Sequence, residues 1–184
     1  MKKPFLAGAL AASLVLGIPG VARTVQAEPI QIAAIGDSNI AGKGVSSAEA
    51  YPAKLERALR ANGYNVRVLN NGINGDTTKG VLSRLNSAAP QGTRIAIVWV
   101  GINDLRAGVS PATVEAERQE IANRLQLRGI KVLLLGPRHG LRDQPQYLQG
   151  DAQYHLNSAG YDVIVARTLS QVQALVESAS GERR

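Results

Sequence analysis

Residues 31–39 read Gln-Ile-Ala-Ala-Ile-Gly-Asp-Ser-Asn, an uncharged apolar run that reaches a glycine and turns at once into polar residues. Near-continuous hydrophobicity over so short a span suits a strand buried on both faces, as in a parallel sheet. The pattern returns at Asn65–Leu69 (NVRVL), Arg94–Gly101 (RIAIVWVG) and Lys131–Gly136 (KVLLLG), each run ending near Gly or Asn. Helical patterns fill the gaps. Ser46 and Glu49 have the spacing of a capping box, ahead of Tyr51, Leu55 and Leu59 at i+4 and a stop at Gly63. Thr77–Ala89 predicts a second helix. Ser110-Pro111 reads as a cap followed by an N1 proline, with Val114, Ile121 and Leu125 on one face. A last helix over Ser158–Ser178 aligns Tyr161, Ile164, Thr168, Val172 and Leu175. Alternating strands and helices of this kind predict a three-layer α/β domain.

Outward from these elements, the first 27 residues read differently. Lys2 and Lys3 precede an apolar run over Phe5–Val21, and Val25-Gln26-Ala27 is a plausible cleavage site, so Met1–Ala27 reads as a secretory signal peptide. A retained anchor is the competing reading, but Gly17, Pro19 and Gly20 interrupt the run, which falls short of the roughly 20 apolar residues a span requires. The expected organisation is therefore a leader (1–27), a single domain (28–178) and a polar tail (179–184), in a periplasmic or secreted protein without a stable membrane span.

Composition follows from that division. The 184 residues hold 21 Lys+Arg against 14 Asp+Glu, a formal net charge of +7, which alone invites a nucleic-acid reading. Removing the leader takes away three of the 21 basic residues and no acidic one, leaving 18 against 14, or +4. No cluster of cations interleaved with aromatics remains to follow a phosphate backbone, so nucleic acid is not an expected partner. The absence of cysteine excludes a disulfide scaffold, a Cys-ligated metal and a thiol nucleophile.

Ligands of open α/β sheets bind at the carboxyl ends of the strands, so the chemistry belongs in the loops that follow them. These carry Gly36-Asp37-Ser38-Asn39, Gly72-Ile73-Asn74-Gly75-Asp76-Thr77, Gly101-Ile102-Asn103-Asp104, and Pro137-Arg138-His139-Gly140 leading towards His155. Acyl transfer needs a nucleophile, a base and donors for the developing oxyanion. Ser38 at a strand-to-helix turn suits the first role. His139 and His155, the two histidines, are the candidates for the second, and Gly75 N–H with the Asn103 side chain suits the third. A phosphate cradle at Gly72–Gly75 lacks the lysine spacing of a P-loop.

Gly36-Asp37-Ser38, Gly75-Asp76-Thr77, Gly101-Ile102-Asn103-Asp104 and His155-Leu156-Asn157 together resemble the four ordered blocks of the SGNH (GDSL) hydrolases, over about residues 31 to 176. Within that family the chain is most similar to the small periplasmic esterase, thioesterase and lysophospholipase branch. The resemblance implies a flavodoxin-like α/β/α fold and a secreted ester hydrolase acting on a small acyl-ester substrate. It implies Ser38 as nucleophile and His155 as general base. The oxyanion hole would be formed by Ser38 N–H, Gly75 N–H and Asn103, with Asp37 organising the nucleophile loop. No metal or cofactor is implied. An O-acetylesterase of cell-envelope carbohydrate and an impaired binding module with the same fold are the alternatives.

Two departures from the family's pattern stand out. Its acid lies three residues before the histidine, where this chain has Ala152. Asp151 is one residue earlier, so either a longer turn brings Asp151 to the imidazole, or a backbone carbonyl orients His155 in a dyad. The second is length. Only Pro137–Gly150 separates the fourth strand from Asp151, where family members usually fit another strand and helix. The expectation is a four-stranded sheet of order 2-1-3-4 and an open acyl site lined by Leu141, Pro145, Tyr147 and Leu148. Asp104 and Trp99 read as structural, His139 as a solvated loop residue with substrate contact as the alternative, and Tyr154 as packed on His155 or lining the mouth.

Overall fold

Four parallel strands form one sheet in the order β2-β1-β3-β4: β1 (Ile30–Gly36), β2 (Val66–Gly72), β3 (Thr93–Trp99) and β4 (Lys131–Leu134). A computed structural model describes residues 28–181, and the leader expected over Met1–Ala27 lies outside them. Four strands in this order are what the family resemblance, with the short stretch before Asp151, leads one to expect. The alternation along each central strand assigns the two faces. Ile30, Ile32 and Ala34 of β1, with Ile95, Ile97 and Trp99 of β3, pack under helices α2 (Tyr51–Ala61) and α7 (Ser158–Gly181). Ala33, Ile35, Ala96 and Val98 point the other way, onto α3 (Thr78–Ser83), α4 (Leu85–Ala88) and α6 (Pro111–Leu127). Both faces of the sheet are thus covered, which is why its central strands β1 and β3 read as nearly unbroken apolar runs. Two one-turn helices, α1 (Ser38–Ala41) and α5 (Ile102–Arg106), follow β1 and β3 at their carboxyl ends.

Local expectations fail where a distant partner intervenes. Ser46 makes no side-chain cap, and Ser47–Glu49 forms a 3-10 turn. The Glu49 carboxylate, needed to close a capping box, instead accepts from Ser158 Oγ at 2.9 Å. Helix α2 then starts at Tyr51 with Pro52 in its first turn. The helix expected over Thr77–Ala89 breaks at Arg84, whose guanidinium reaches back to Asp76 Oδ2 (2.7 Å) and to the Gly36 carbonyl (3.2 Å). Helix α7 runs three residues beyond the expected Ser178 to Gly181, with Ala179 buried and its carbonyl accepting from Arg94 at 3.2 Å. The expected polar tail therefore begins inside a helix. No helix among the described residues is long and apolar enough to cross a membrane.

After β4 the chain does not build a fifth strand. It makes a 3-10 turn at Pro145–Tyr147 and a single antiparallel bridge between Leu148 and Leu156 before entering α7. The apolar lining expected of this segment is corrected by where its side chains go. Leu141 is fully buried in the core beneath α2 and α7, and Tyr147 and Leu148 pack against the same cluster.

Candidate active site

Strand β1 brings the nucleophile candidate into place through a close backbone approach. A Cβ on Gly36 would lie 2.0 Å from the Trp99 carbonyl oxygen, the atom that accepts from Asp37 N–H at 3.2 Å. Glycine alone allows β1 and β3 to converge here. Asp37 then caps α1, accepting from Asn39 N–H at 2.9 Å and Asn39 Nδ2 at 3.1 Å through the same carboxylate oxygen. Ser38 is the first residue of that turn, where a backbone N–H has no partner within the helix. Its Oγ lies 3.0 Å from His155 Nε2, and both side chains are buried.

The turn ahead of α7 orients the imidazole. His155 Nδ1 is hydrogen-bonded to Asp151 Oδ2, while Asp151 Oδ1 accepts from His155 N–H at 2.9 Å. Tyr154 N–H donates to the Asp151 carbonyl at 3.1 Å, and Tyr154 has φ 57°, in the left-handed region. Among the described residues it is alone in this among non-glycines. That conformation costs a side-chain-bearing residue about 1–2 kcal/mol. It lets a four-residue offset do what three residues do in the family pattern. A carboxylate only accepts hydrogen bonds, so Nδ1 carries the proton and Nε2 presents its lone pair to the Ser38 hydroxyl. Burial pulls the Asp151 carboxyl upward. The two bonds from His155 and the nearby Lys43 outweigh it and hold the group below the ordinary carboxylate range. Of the two orienters that the sequence left open, the carboxylate is the one in contact.

Asp37 behaves oppositely. It is buried, its Oδ2 has no hydrogen-bond partner among the described residues, and burial raises its pKa to about 6 against the pull of Asn39 and Arg106.

The remaining site candidates form a second group. Gly75 has φ 80° and is exposed. Asn103, on α5, donates one Nδ2 hydrogen to the Asp76 carbonyl at 2.8 Å and keeps its second. Asp76 is in turn tied to Arg84, and Arg84 to the Gly36 carbonyl, so this loop is strapped to the end of β1. Gly75 and Asn103 are linked through Asp76, but neither lines the cavity that Ser38 and His155 share. Asp104 is structural: it accepts from Thr78 N–H (3.1 Å) and Thr78 Oγ1 (2.8 Å) at the start of α3. Trp99 is buried, edge-on to Tyr51 with centroids 6.0 Å apart.

His139 is not a freely solvated loop residue. Its Nδ1 accepts from Leu141 N–H at 3.0 Å, so its Nε2 hydrogen faces the Tyr154 carbonyl at 2.9 Å. Desolvation, more than the surrounding Arg106, His155 and Arg167, lowers its pKa and keeps it neutral. Arg84, Arg106 and Arg142 complete the surroundings of the site. No motif marks them, and each is placed by the fold alone.

A serine, a buried histidine and a carboxylate in one hydrogen-bonded chain, at the carboxyl edge of a parallel sheet, is the arrangement used for serine acyl transfer. The comparisons place the chain more narrowly. Residues 34–149 match the GDSL-like lipase/acylhydrolase family, and the chain belongs to that family. It is 33% identical over 131 residues to the esterase TesA of Pseudomonas aeruginosa, covering 68% of this chain and 63% of that protein. It is 29% identical over 102 residues to an arylesterase of Vibrio mimicus, covering 55% and 51%. The chain thus spans less than two thirds of the length of these relatives. Among solved structures it resembles the SGNH-hydrolase family esterase AlinE4, with a TM-score of 0.64, 33% identity, and coverage of 81% of this chain and 97% of that one.

Proposed function

We propose that this protein is a serine ester hydrolase, with Ser38 as nucleophile, His155 as general base and Asp151 as the orienting acid. The observation that carries the reading is the 3.0 Å contact between Ser38 Oγ and His155 Nε2, continued through His155 Nδ1 to Asp151. Ser38 Oγ attacks the acyl carbonyl as its proton passes to Nε2. The carbonyl electron pair becomes an oxyanion facing Ser38 N–H, Gly75 N–H and the free Asn103 Nδ2 hydrogen. Collapse of the intermediate breaks the ester C–O bond, and the departing oxygen takes the proton from Nε2. Water, deprotonated by the same nitrogen, then attacks the acyl carbon, and as the acyl–Oγ bond breaks Nε2 returns the proton to Ser38 Oγ. Asp151 stays ionised throughout and stabilises the imidazolium, a role supported by its lowered pKa.

The esterase names of the relatives support this class of substrate. Replacing Ser38 by alanine should reduce turnover of 4-nitrophenyl butyrate by roughly 10³-fold or more, since loss of a triad nucleophile leaves only binding and oxyanion stabilisation. Turnover within a factor of two of the parent would overturn the assignment.

A further inference from the structure

The cavity in front of Ser38 and His155 has a volume of about 420 Å³, and its rim is cationic. Arg106, Arg138 and Arg142 all line it and all are exposed, whereas Asp143 is its one carboxylate apart from the catalytic turn. Several cations elsewhere on the protein are ion-paired: Lys54 with Asp162, Arg60 with Glu56, Arg84 with Asp76, Arg124 with Glu120. The three rim arginines form no ion pair among the described residues, Asp143 acting on Arg142 and Arg106 on Asp37 only at longer range. Arg106 donates to the Gln153 carbonyl, and Arg142 donates to Tyr154 Oη at 3.2 Å with its guanidinium 4.4 Å from the ring centroid. Each guanidinium has five N–H donors, so these contacts fix the side chains and leave donors free.

The side of the cavity also matters. A leaving group must take its proton from His155 Nε2, so it departs on the face formed by the turn that carries His155. Ala152, Gln153 and Tyr154 of that turn line the cavity, and two of the three arginines rest on it. Gly75 and Asn103, assigned to the oxyanion, are not part of its wall. Guanidinium forks are suited to bidentate capture of phosphate or carboxylate. A concave cluster of like charges also concentrates the opposite charge.

We propose that the substrates are acyl esters whose leaving group carries a phosphate or carboxylate, held by Arg106, Arg138 and Arg142. This rests on the reading of Ser38 and His155 given above. The acyl C–O bond breaks, the alcohol oxygen takes the proton from His155, and the anionic group leaves with its charge unchanged.

The test compares kcat/KM for 2-butanoyloxyethyl phosphate and 4-butanoyloxybutanoate with that for the neutral 4-butanoyloxybutanamide. Mono(4-nitrophenyl) succinate against 4-nitrophenyl butyrate places the charge on the acyl side instead. Charge-assisted bonds of this kind predict an advantage of about tenfold or more for one or both leaving-group anions at low ionic strength, shrinking with added salt. The phosphate and carboxylate arms show which anion is preferred. Arg138→Gln/Arg142→Gln, and separately Arg106→Gln, should lower the anionic-to-neutral ratio several-fold. Arg60→Gln/Arg124→Gln removes equal charge away from the cavity and should leave the ratio where it was. Equal rates for anionic and neutral esters would overturn the proposal. So would an equal response to both double variants, or an advantage confined to the succinate. If 4-nitrophenyl butyrate is turned over in a Ser38-dependent manner without charge preference, this inference fails and the hydrolase reading stands. Without Ser38-dependent turnover, both fail.

Discussion

Asp37→Asn isolates the cost of burying a charge beside the nucleophile. The Asp37 carboxyl is buried, one of its oxygens takes both Asn39 donors, and the other has no partner among the described residues. Burial raises the pKa from 3.8 to about 6. At 1.36 kcal/mol per pH unit, the ionised side chain destabilises the native state at neutral pH by roughly 3 kcal/mol. The sign follows from which state binds the proton. Between 3.8 and about 6 the folded protein holds a proton that the unfolded chain has released, so Asp37 contributes most below 3.8. That contribution is lost as the pH rises through the folded value. Asparagine keeps an acceptor for the Asn39 N–H cap and does not titrate. The unfolding free energy of the variant minus that of the parent should therefore rise by about 2–3 kcal/mol from pH 4 to pH 8. Urea melts at unit pH intervals read this as a midpoint difference growing by about 1–2 M. Every other titrating group is common to both proteins and cancels in the subtraction. A difference that stays flat within about 0.5 kcal/mol across that range would refute the argument.

Two further substitutions test the roles assigned around Ser38. Asp151→Ala should lower kcat by roughly 10²-fold or more, because the imidazole loses the carboxylate that fixes its tautomer and stabilises its cation; a fall of less than threefold in a steady-state assay would return His155 to a backbone-oriented dyad. Asn103→Ala should cost roughly 10²-fold in kcat with little change in KM, as loss of one oxyanion donor does; a loss below fivefold would mean that Asn103 serves only to hold the Asp76 carbonyl.

What was legible in the sequence was whatever is encoded locally and doubly. Strands β1 and β3 are buried on both faces, so their sequences carry almost no polar interruption, and their ends coincide with the functional loops. Asp151 was reachable by counting back from His155. Where a partner lies far along the chain, local rules mislead. Glu49 has the right offset for a capping box but bonds Ser158 instead, more than a hundred residues away. Leu141 is apolar and sits in a loop, which suits acyl-site lining, yet apolarity equally sends it into the core, where it is. The rim arginines were illegible for the converse reason. Solvated cations are common, and only the fold shows that these three form no ion pair and face one cavity.

The short connection after β4 explains how the site is held. In a longer chain a fifth strand would fix the approach to the histidine through a backbone ladder. Here a single backbone bridge and several side chains perform that task from different directions. Gln149 N–H donates to the His155 carbonyl at 2.9 Å, and Gln149 Nε2 bonds both the Leu156 carbonyl (2.7 Å) and the Lys43 carbonyl (2.6 Å), joining the turn to the end of α1. His139 holds the Tyr154 carbonyl from the opposite side, and Arg106 holds that of Gln153. Protonating His139 would set an Nδ1 hydrogen against the Leu141 N–H, so its lowered pKa preserves the strut that supports Tyr154. The left-handed Tyr154 is then a conformation imposed from both ends of the turn. Strain of this kind persists only where surrounding contacts over-determine it. Two of the residues that brace the turn, Arg106 and His139, also line the cavity, so substitutions there can alter leaving-group preference and loosen His155 together.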